Sequence, residues 1–164
     1  MVPSPRIGPL AVDRLGPTDL PEVFGWLDRD PVLNVYLAAL VLRDALAAPR
    51  DEYWAVRREA GIAALLHIGG QSGALLPLGD DLPAVRLLAD QARQRLPFLP
   101  PRFQVIGPRE AVLTTLQHLE HSGLRSRLER EQVYMALEPG ALPPFERLPE
   151  LTPALPADFD MAHE

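Results

Sequence analysis

The runs Tyr53-Trp54-Ala55-Val56-Arg57, Ile62-Ala63-Ala64-Leu65-Leu66-His67-Ile68 and Ala74-Leu75-Leu76-Pro77-Leu78 are parted by turn-forming residues, Glu59-Ala60-Gly61 and Gly69-Gly70-Gln71-Ser72-Gly73. Each run is short and mostly apolar, and glycine stands wherever the chain has to reverse. This pattern predicts three consecutive strands joined by tight turns, an antiparallel meander.

On the N-terminal side, residues 9–14 predict a short strand, and Pro17-Thr18-Asp19 opens a helix with Leu20, Val23, Phe24 and Leu27 at helical spacing. Asp30-Pro31 then marks a second helix start. Asp suits the N-cap, and Pro suits the first helical position, where its missing N–H costs nothing. From Pro31 to about Ala47 the residues are apolar almost all round (Val32, Leu33, Val35, Tyr36, Leu37, Leu40, Val41, Leu42). That predicts a helix buried on more than one side.

On the C-terminal side, Leu82 to Leu96 is amphipathic, with Val85, Leu88 and Ala92 on one face. Phe103-Gln104-Val105-Ile106 predicts a strand, Pro108 to about Ser122 a helix stopped by Gly123, and Arg127 to Leu137 a closing strand. The expected fold class is α/β, a mixed and largely antiparallel central sheet flanked by about four helices.

The 164 residues fit one domain with an appendage. We expect a domain over residues 1–138, then a linker over 139–164 that runs into the start of a second domain. Six prolines fall between residues 139 and 156. Beyond them, Pro156-Ala157-Asp158-Phe159 repeats the Pro-x-Asp-apolar grammar of Pro17-Thr18-Asp19-Leu20.

Hydrophobic residues make up 47% of the chain and charged residues 23%, as in an ordinary globular protein. All sixteen basic residues are Arg. The net charge of −6 argues against nucleic acid or an anionic membrane as a partner, because both need a dense basic patch. With no Cys, disulfides and thiolate chemistry are excluded and a reducing, cytoplasmic location is expected. No run approaches the roughly 20 apolar residues of a bilayer span.

Several residues invite a chemical reading. Asp80-Asp81 could hold a hard cation, but carboxylates just before Pro83 also suit a helix cap. His118-x-x-His121 places two imidazoles three residues apart; without a third ligand the plain reading is a solvated helix face. The Gly69–Gly73 stretch lacks the Lys-Ser/Thr of a phosphate loop and reads as a hairpin turn. His67 reads as a residue at the core edge, Ser72 has no base in a recognisable pattern, and Trp26 and Trp54 read as core or interface anchors. No metal site is expected.

The element order, together with Asp28-x-Asp30-Pro31-Val32-x-Asn34-Val35 and the apolar helix behind it, resembles the GNAT N-acetyltransferase superfamily over residues 9 to 138. It is most similar to the degenerate N-terminal GNAT-like domain of bacterial proteins that carry two such domains in tandem. The resemblance implies that acetyl-CoA pyrophosphate would sit on a Gln/Arg-x-x-Gly-x-Gly/Ala turn after the fourth strand, where glycines expose backbone N–H groups at a helix start. Here that place reads Leu78-Gly79-Asp80-Asp81-Leu82-Pro83, with two carboxylates where phosphate charge would go and a proline that removes a donor.

Active members also place a tyrosine as general acid on the helix that leads into a Gly-Phe pair. The pair here is Gly123-Leu124 and the residue at the tyrosine's place is Leu119. The resemblance thus implies a vestigial acyl-CoA groove at Leu76, Leu78, Gly79 and Leu82, no catalytic residue, and no cofactor for this chain alone. The expected partner is a second GNAT-like domain, or another copy of the chain. Two other readings stay open: an active acyl-CoA-dependent N-acyltransferase with an atypical acetyl-CoA loop, and a small-ligand binding module.

Overall fold

A computed structural model describes residues 10–133 and Gly140. The elements in chain order are β1 (Ala11–Arg14), a 3-10 turn at Pro17–Asp19, α1 (Leu20–Leu27), α2 (Val35–Asp44), β2 (Asp51–Arg58), β3 (Gly61–Gly69), β4 (Ala74–Leu78), α3 (Leu82–Arg95), β5 (Gln104–Val105) and α4 (Arg109–Glu120). The strands form one sheet in the order β1-β2-β3-β4-β5. The first four are antiparallel to their neighbours, and β5 joins β4 in parallel.

Helices cover both faces of this sheet. Tyr53, Ala55, Leu65, Leu76 and Leu78 pack with Val23, Leu27, Leu37 and Val41 of α1 and α2. On the other face Val56, Leu66, Ile68 and Leu75 meet Val85, Leu88, Ala92, Ala111 and Leu119 of α3 and α4. Strands buried on two sides need apolar residues at successive positions, not alternate ones. That is why β3 and β4 read as continuous apolar runs. Each fully buried leucine contributes about 1.5–3 kcal/mol.

Between Val56 and Arg57 the register of β2 against β3 shifts: Val56 faces Ala64, whereas Arg57 faces Ile62. Ala63 is the extra residue, and a bulge of this kind bends the strand locally. One strand residue further on, Arg57 ties the sheet edge to the first helix. Its guanidinium donates to Asp13 on β1 (2.9 Å), to Asp19 in the 3-10 turn (2.8 Å) and to Glu22 on α1 (2.8 Å). Three carboxylates around one guanidinium form a network whose geometry, more than any single surface pair, fixes where α1 starts.

The structure corrects two of the sequence expectations. Asp30 does accept from the Leu33 amide (3.0 Å), as its N-cap reading implied, but residues 31–34 form a turn and α2 starts at Val35. The buried Asn34 explains the delay, because its side-chain amide donates to the Leu27 carbonyl (2.9 Å) and so closes the end of α1 instead of continuing α2. The helix is also buried on one side only. Leu37, Leu40 and Val41 face the core, whereas Val35 and Leu42 are 56% and 76% exposed. In the second correction, residues 127–133 form no strand. Arg127, Glu129, Arg130 and Glu131 leave Leu128 as the one large apolar side chain before Val133, too little to give a strand a face to bury.

Residues 134–137 of that expected strand lie outside the described residues. So do the linker and second-domain start over 139–164, apart from Gly140. The other elements fall within two residues or so of their expected bounds.

Helix α2 ends without a glycine. Ala45 and Leu46 both take left-handed backbone, at φ 48° and 59°, and the Ala45 amide closes the helix by donating to Val41 (2.9 Å). A side chain in that region is strained, and at the exposed Ala45 it gains little packing in return. Ala45→Gly is therefore expected to raise the free energy of unfolding by about 0.5 kcal/mol, net of the added freedom of the unfolded chain. Denaturant titration measures it, and a lowered midpoint would contradict the strain.

Candidate functional site

The place where the sequence resemblance puts a cofactor is the corner between β4 and α3, and its shape follows from Gly79. That residue has φ +131°, and a Cβ there would stand 2.9 Å from the Ala63 carbonyl oxygen and 3.0 Å from Ala64 Cα. Only glycine lets the chain turn this close to the bulged part of β3. The turn delivers Asp80 to the surface and Asp81 to the N-cap position just ahead of α3.

Asp81 occupies the helix start itself. Its Oδ1 accepts from the Ala84 amide (3.1 Å), its carbonyl accepts from the Val85 amide (2.9 Å), and Pro83 has no amide to offer. Its Oδ2 takes the Nε–H of Arg58 at 2.5 Å, from the end of β2. The Arg58 bond first, and the Ala84 amide after it, hold the Asp81 carboxyl below the usual carboxylate range. The positive end of the helix is thus already matched by an anion of the chain's own. Of the sequence's two alternatives for Asp80-Asp81, Asp81 takes the capping one.

The other groove residues are closely packed. Leu76 and Leu78 are 3% and 5% exposed on the α1–α2 face, and Leu82 is half-buried at the first turn of α3. Beside them β5 pairs with the start of β4, at Ala74 and Leu75, and the Ile106 amide donates to the Leu75 carbonyl (2.9 Å). Gly107 follows so closely that a Cβ on it would stand 2.4 Å from the Pro77 carbonyl oxygen.

The histidines of α4 part company. His118 lies 2.7 Å from Asp90 and links α4 to α3, whereas the His121 ring N–H donates to the Gln117 carbonyl on its own helix. Leu119 between them is 1% exposed and packs against α3. Among the described residues no group of three or more His, Cys, Asp or Glu could hold a metal ion, and no helix is long and apolar enough to cross a membrane.

A second polar cluster escaped the sequence reading. His67 is 1% exposed, buried in the sheet and not at its edge, and it faces Tyr53 across the β2–β3 pair with ring centroids 4.8 Å apart. His67 Nε2 lies 3.3 Å from Asp51, while His67 Nδ1 and the Tyr53 hydroxyl are buried without a hydrogen-bond partner among the described residues. Burial pushes the imidazole below its ordinary value against the pull of Asp51. Burial, with the nearby Asp44 and Asp51 carboxylates, pushes the Tyr53 hydroxyl up to about 12. Closing the hairpin about Glu59–Gly61 brings positions 53 and 67 opposite each other, and that is the signal that could have found the pair.

The sequence implied a strand, two helices, three strands, a helix, a strand, a helix and a closing strand; the described residues follow that order as far as α4, with β5 parallel to β4, and show no closing strand over 127–133. The fold is a five-stranded mixed sheet with helices on both faces. No family model and no curated protein matches the chain. Solved structures similar to it include a ribosomal-protein-alanine N-acetyltransferase from Brucella melitensis biovar Abortus 2308, at 12% identity and TM-score 0.44 over 77% of this chain and 100% of that one. They also include an aminoglycoside acetyltransferase from an uncultured soil metagenomic sample, in complex with trehalose, at 13% identity and TM-score 0.45. The same enzyme in complex with sisomicin scores 0.44 at 13%; each of the two covers 79% of this chain and 97% of its own.

A base whose folded pKa is depressed stays neutral in the native protein, while the unfolded chain takes up the proton as pH falls through about 6.5. Over that range the unfolded state binds more protons, so the His67 contribution is complete above about pH 6.5 and is lost as pH falls towards the folded value. We expect thermal stability to fall from pH 7 to pH 5 and His67→Phe to remove much of that slope. An unchanged slope in the variant would show that His67 is not the group responsible.

Proposed function

We propose that this chain is a GNAT-like domain that does not turn over acyl-CoA and serves by packing on a catalytic GNAT domain. The observation that carries the proposal is Asp81 at the start of α3, capping the helix and paired with Arg58. A pyrophosphate brought to this corner would have to displace that carboxylate from both partners, or lie beside it and beside the exposed Asp80. Like charge at a helix start opposes an anion by about 1 kcal/mol per charge in a partly exposed setting. The buried Leu119, at the family's general-acid position, offers no proton to a leaving thiolate. The absence of Cys suits a reducing, cytoplasmic setting.

The outer side of α2 supports the packing role. Val35, Tyr36 and Leu42 are more than half exposed there, next to Val32 at 41%. A run of large apolar side chains facing solvent marks a contact surface. We expect sedimentation of the isolated chain at micromolar concentration to show species larger than a monomer, because this face is uncovered without its partner. A strict monomer at high concentration would leave the face without that role.

Titration calorimetry with acetyl-CoA tests the loss of cofactor binding directly. Weak or undetectable binding is expected, and a Kd near ~10 µM would instead support the active N-acyltransferase reading. Gly at positions 80 and 81 gives the converse test. If binding appears in the Asp80→Gly/Asp81→Gly variant, the groove persists and only its charge is wrong.

A further inference from the structure

At the opposite end of the sheet from the Asp81 corner, a cavity of about 210 Å³ opens between the start of β2, the end of β3 and the end of α3. Its walls are of two kinds. Ile68, Phe98 and Leu99 are its apolar lining residues, and Arg50, Glu52 and Arg95 are its charged ones. Phe98 is 76% exposed, so the mouth faces solvent, while Ile68 is 2% exposed and forms the floor.

The guanidinium of Arg95 is held in place. Its Nε–H donates to both oxygens of Glu52, at 2.9 and 3.0 Å, and its carbon lies 5.8 Å from the centre of the Trp54 ring. Trp54 Nε1 donates to the same carboxylate (2.9 Å) and fixes it in turn. Burial alone would raise the Glu52 pKa, but the hydrogen bonds from Arg95 and Trp54 outweigh it and keep the carboxylate ionised. Glu52 thus spends its charge on the Nε edge of Arg95. The two terminal nitrogens of Arg95 have no partner among the described residues.

Arg50 adds a second donor group on a fixed backbone. Its carbonyl accepts from the Gly70 amide (3.1 Å), and a Cβ on Gly70 would stand 2.2 Å from that oxygen, so the two turns meet only because residue 70 is glycine. Among the described residues the Arg50 side chain forms no ion pair. With Glu52 matched to Arg95, the cavity keeps one positive charge in excess, beside an apolar wall.

We propose that this cavity binds a small carboxylic acid with an aromatic or branched aliphatic body. The carboxylate takes the terminal nitrogens of Arg95 and those of Arg50, a geometry for which guanidinium is suited. The apolar body lies against Ile68, Phe98 and Leu99. The volume suits a single ring, since a cavity of about 150 Å³ accommodates benzene. An inorganic anion would use the arginines and leave the apolar wall wet. This site goes beyond the packing role of the domain and does not depend on whether the Asp81 corner binds a cofactor.

The test is an amide-detected NMR titration of the whole chain with 3-phenylpropionate, its neutral amide 3-phenylpropanamide, and inorganic phosphate. The acid is expected to saturate, with shifts at Gly70 and at the Trp54 indole N–H, and to bind at least ~10-fold more tightly than the amide or phosphate. Arg50→Gln and Arg95→Gln should each weaken it by ~5-fold or more, and Phe98→Ala by ~3-fold. Arg50 and Phe98 are exposed, so those two variants carry the test even if Arg95→Gln perturbs folding. Equal binding of acid and amide, phosphate as tight as the acid, an unaffected Arg50→Gln, or no saturation by ~50 mM would each overturn the proposal.

Discussion

The structure depends on burial of β3 and β4 from both sides at once. A strand covered on both faces cannot alternate apolar with polar residues, and each of its side chains must match a helix on its own side. Leu65, Leu76 and Leu78 commit one face to α1 and α2, and Leu66, Ile68 and Leu75 commit the other to α3 and α4. A slip of one residue would exchange the two sets. The hairpin turns and the bulge at Ala63 therefore set more than local shape: they decide which layer each leucine meets.

The same burial leaves polar chemistry to the two ends of the sheet, where helix α3 gives each end its character. At its start Asp81 meets the positive end of the helix dipole and pairs with Arg58. At its end Arg93 and Arg95 stand where the dipole is negative, and Arg95 is drawn down onto Glu52 and Trp54. Both arrangements stabilise the helix, and they have opposite consequences for ligands. The start is filled by an internal anion, whereas the end keeps guanidinium nitrogens unmatched among the described residues. Tyr53 and His67 are the exception to this polar-ends arrangement, a pair sunk in the sheet with a hydroxyl and a ring nitrogen unsatisfied. Such a pair detracts from stability unless a neighbour or a bound molecule completes it.

The sequence by itself determined the kind and order of the elements from β1 to α4, because periodicity, turn glycines and capping residues act over a few neighbours. The apolar runs at 62–68 and 74–78, the Gly69–Gly73 turn and the stop at Gly123 needed no knowledge of the rest of the chain. It also offered a helix cap at Asp80-Asp81, since carboxylates just ahead of Pro83 have a helix start to serve, and the structure assigns that cap to Asp81. Tertiary structure decided what depends on distant partners. Asn34 delays α2 because its amide reaches the Leu27 carbonyl, and no local rule weighs that bond. His67 is core because β2 and β4 flank it, and the side of α2 that remains in water depends on which layers cover it. The cavity walled by Arg50, Arg95 and Phe98 joins residues that are unremarkable in sequence, brought together from three elements. Backbone propensity acts along the chain, whereas burial and charge pairing act across it, and only the folded arrangement sets the second.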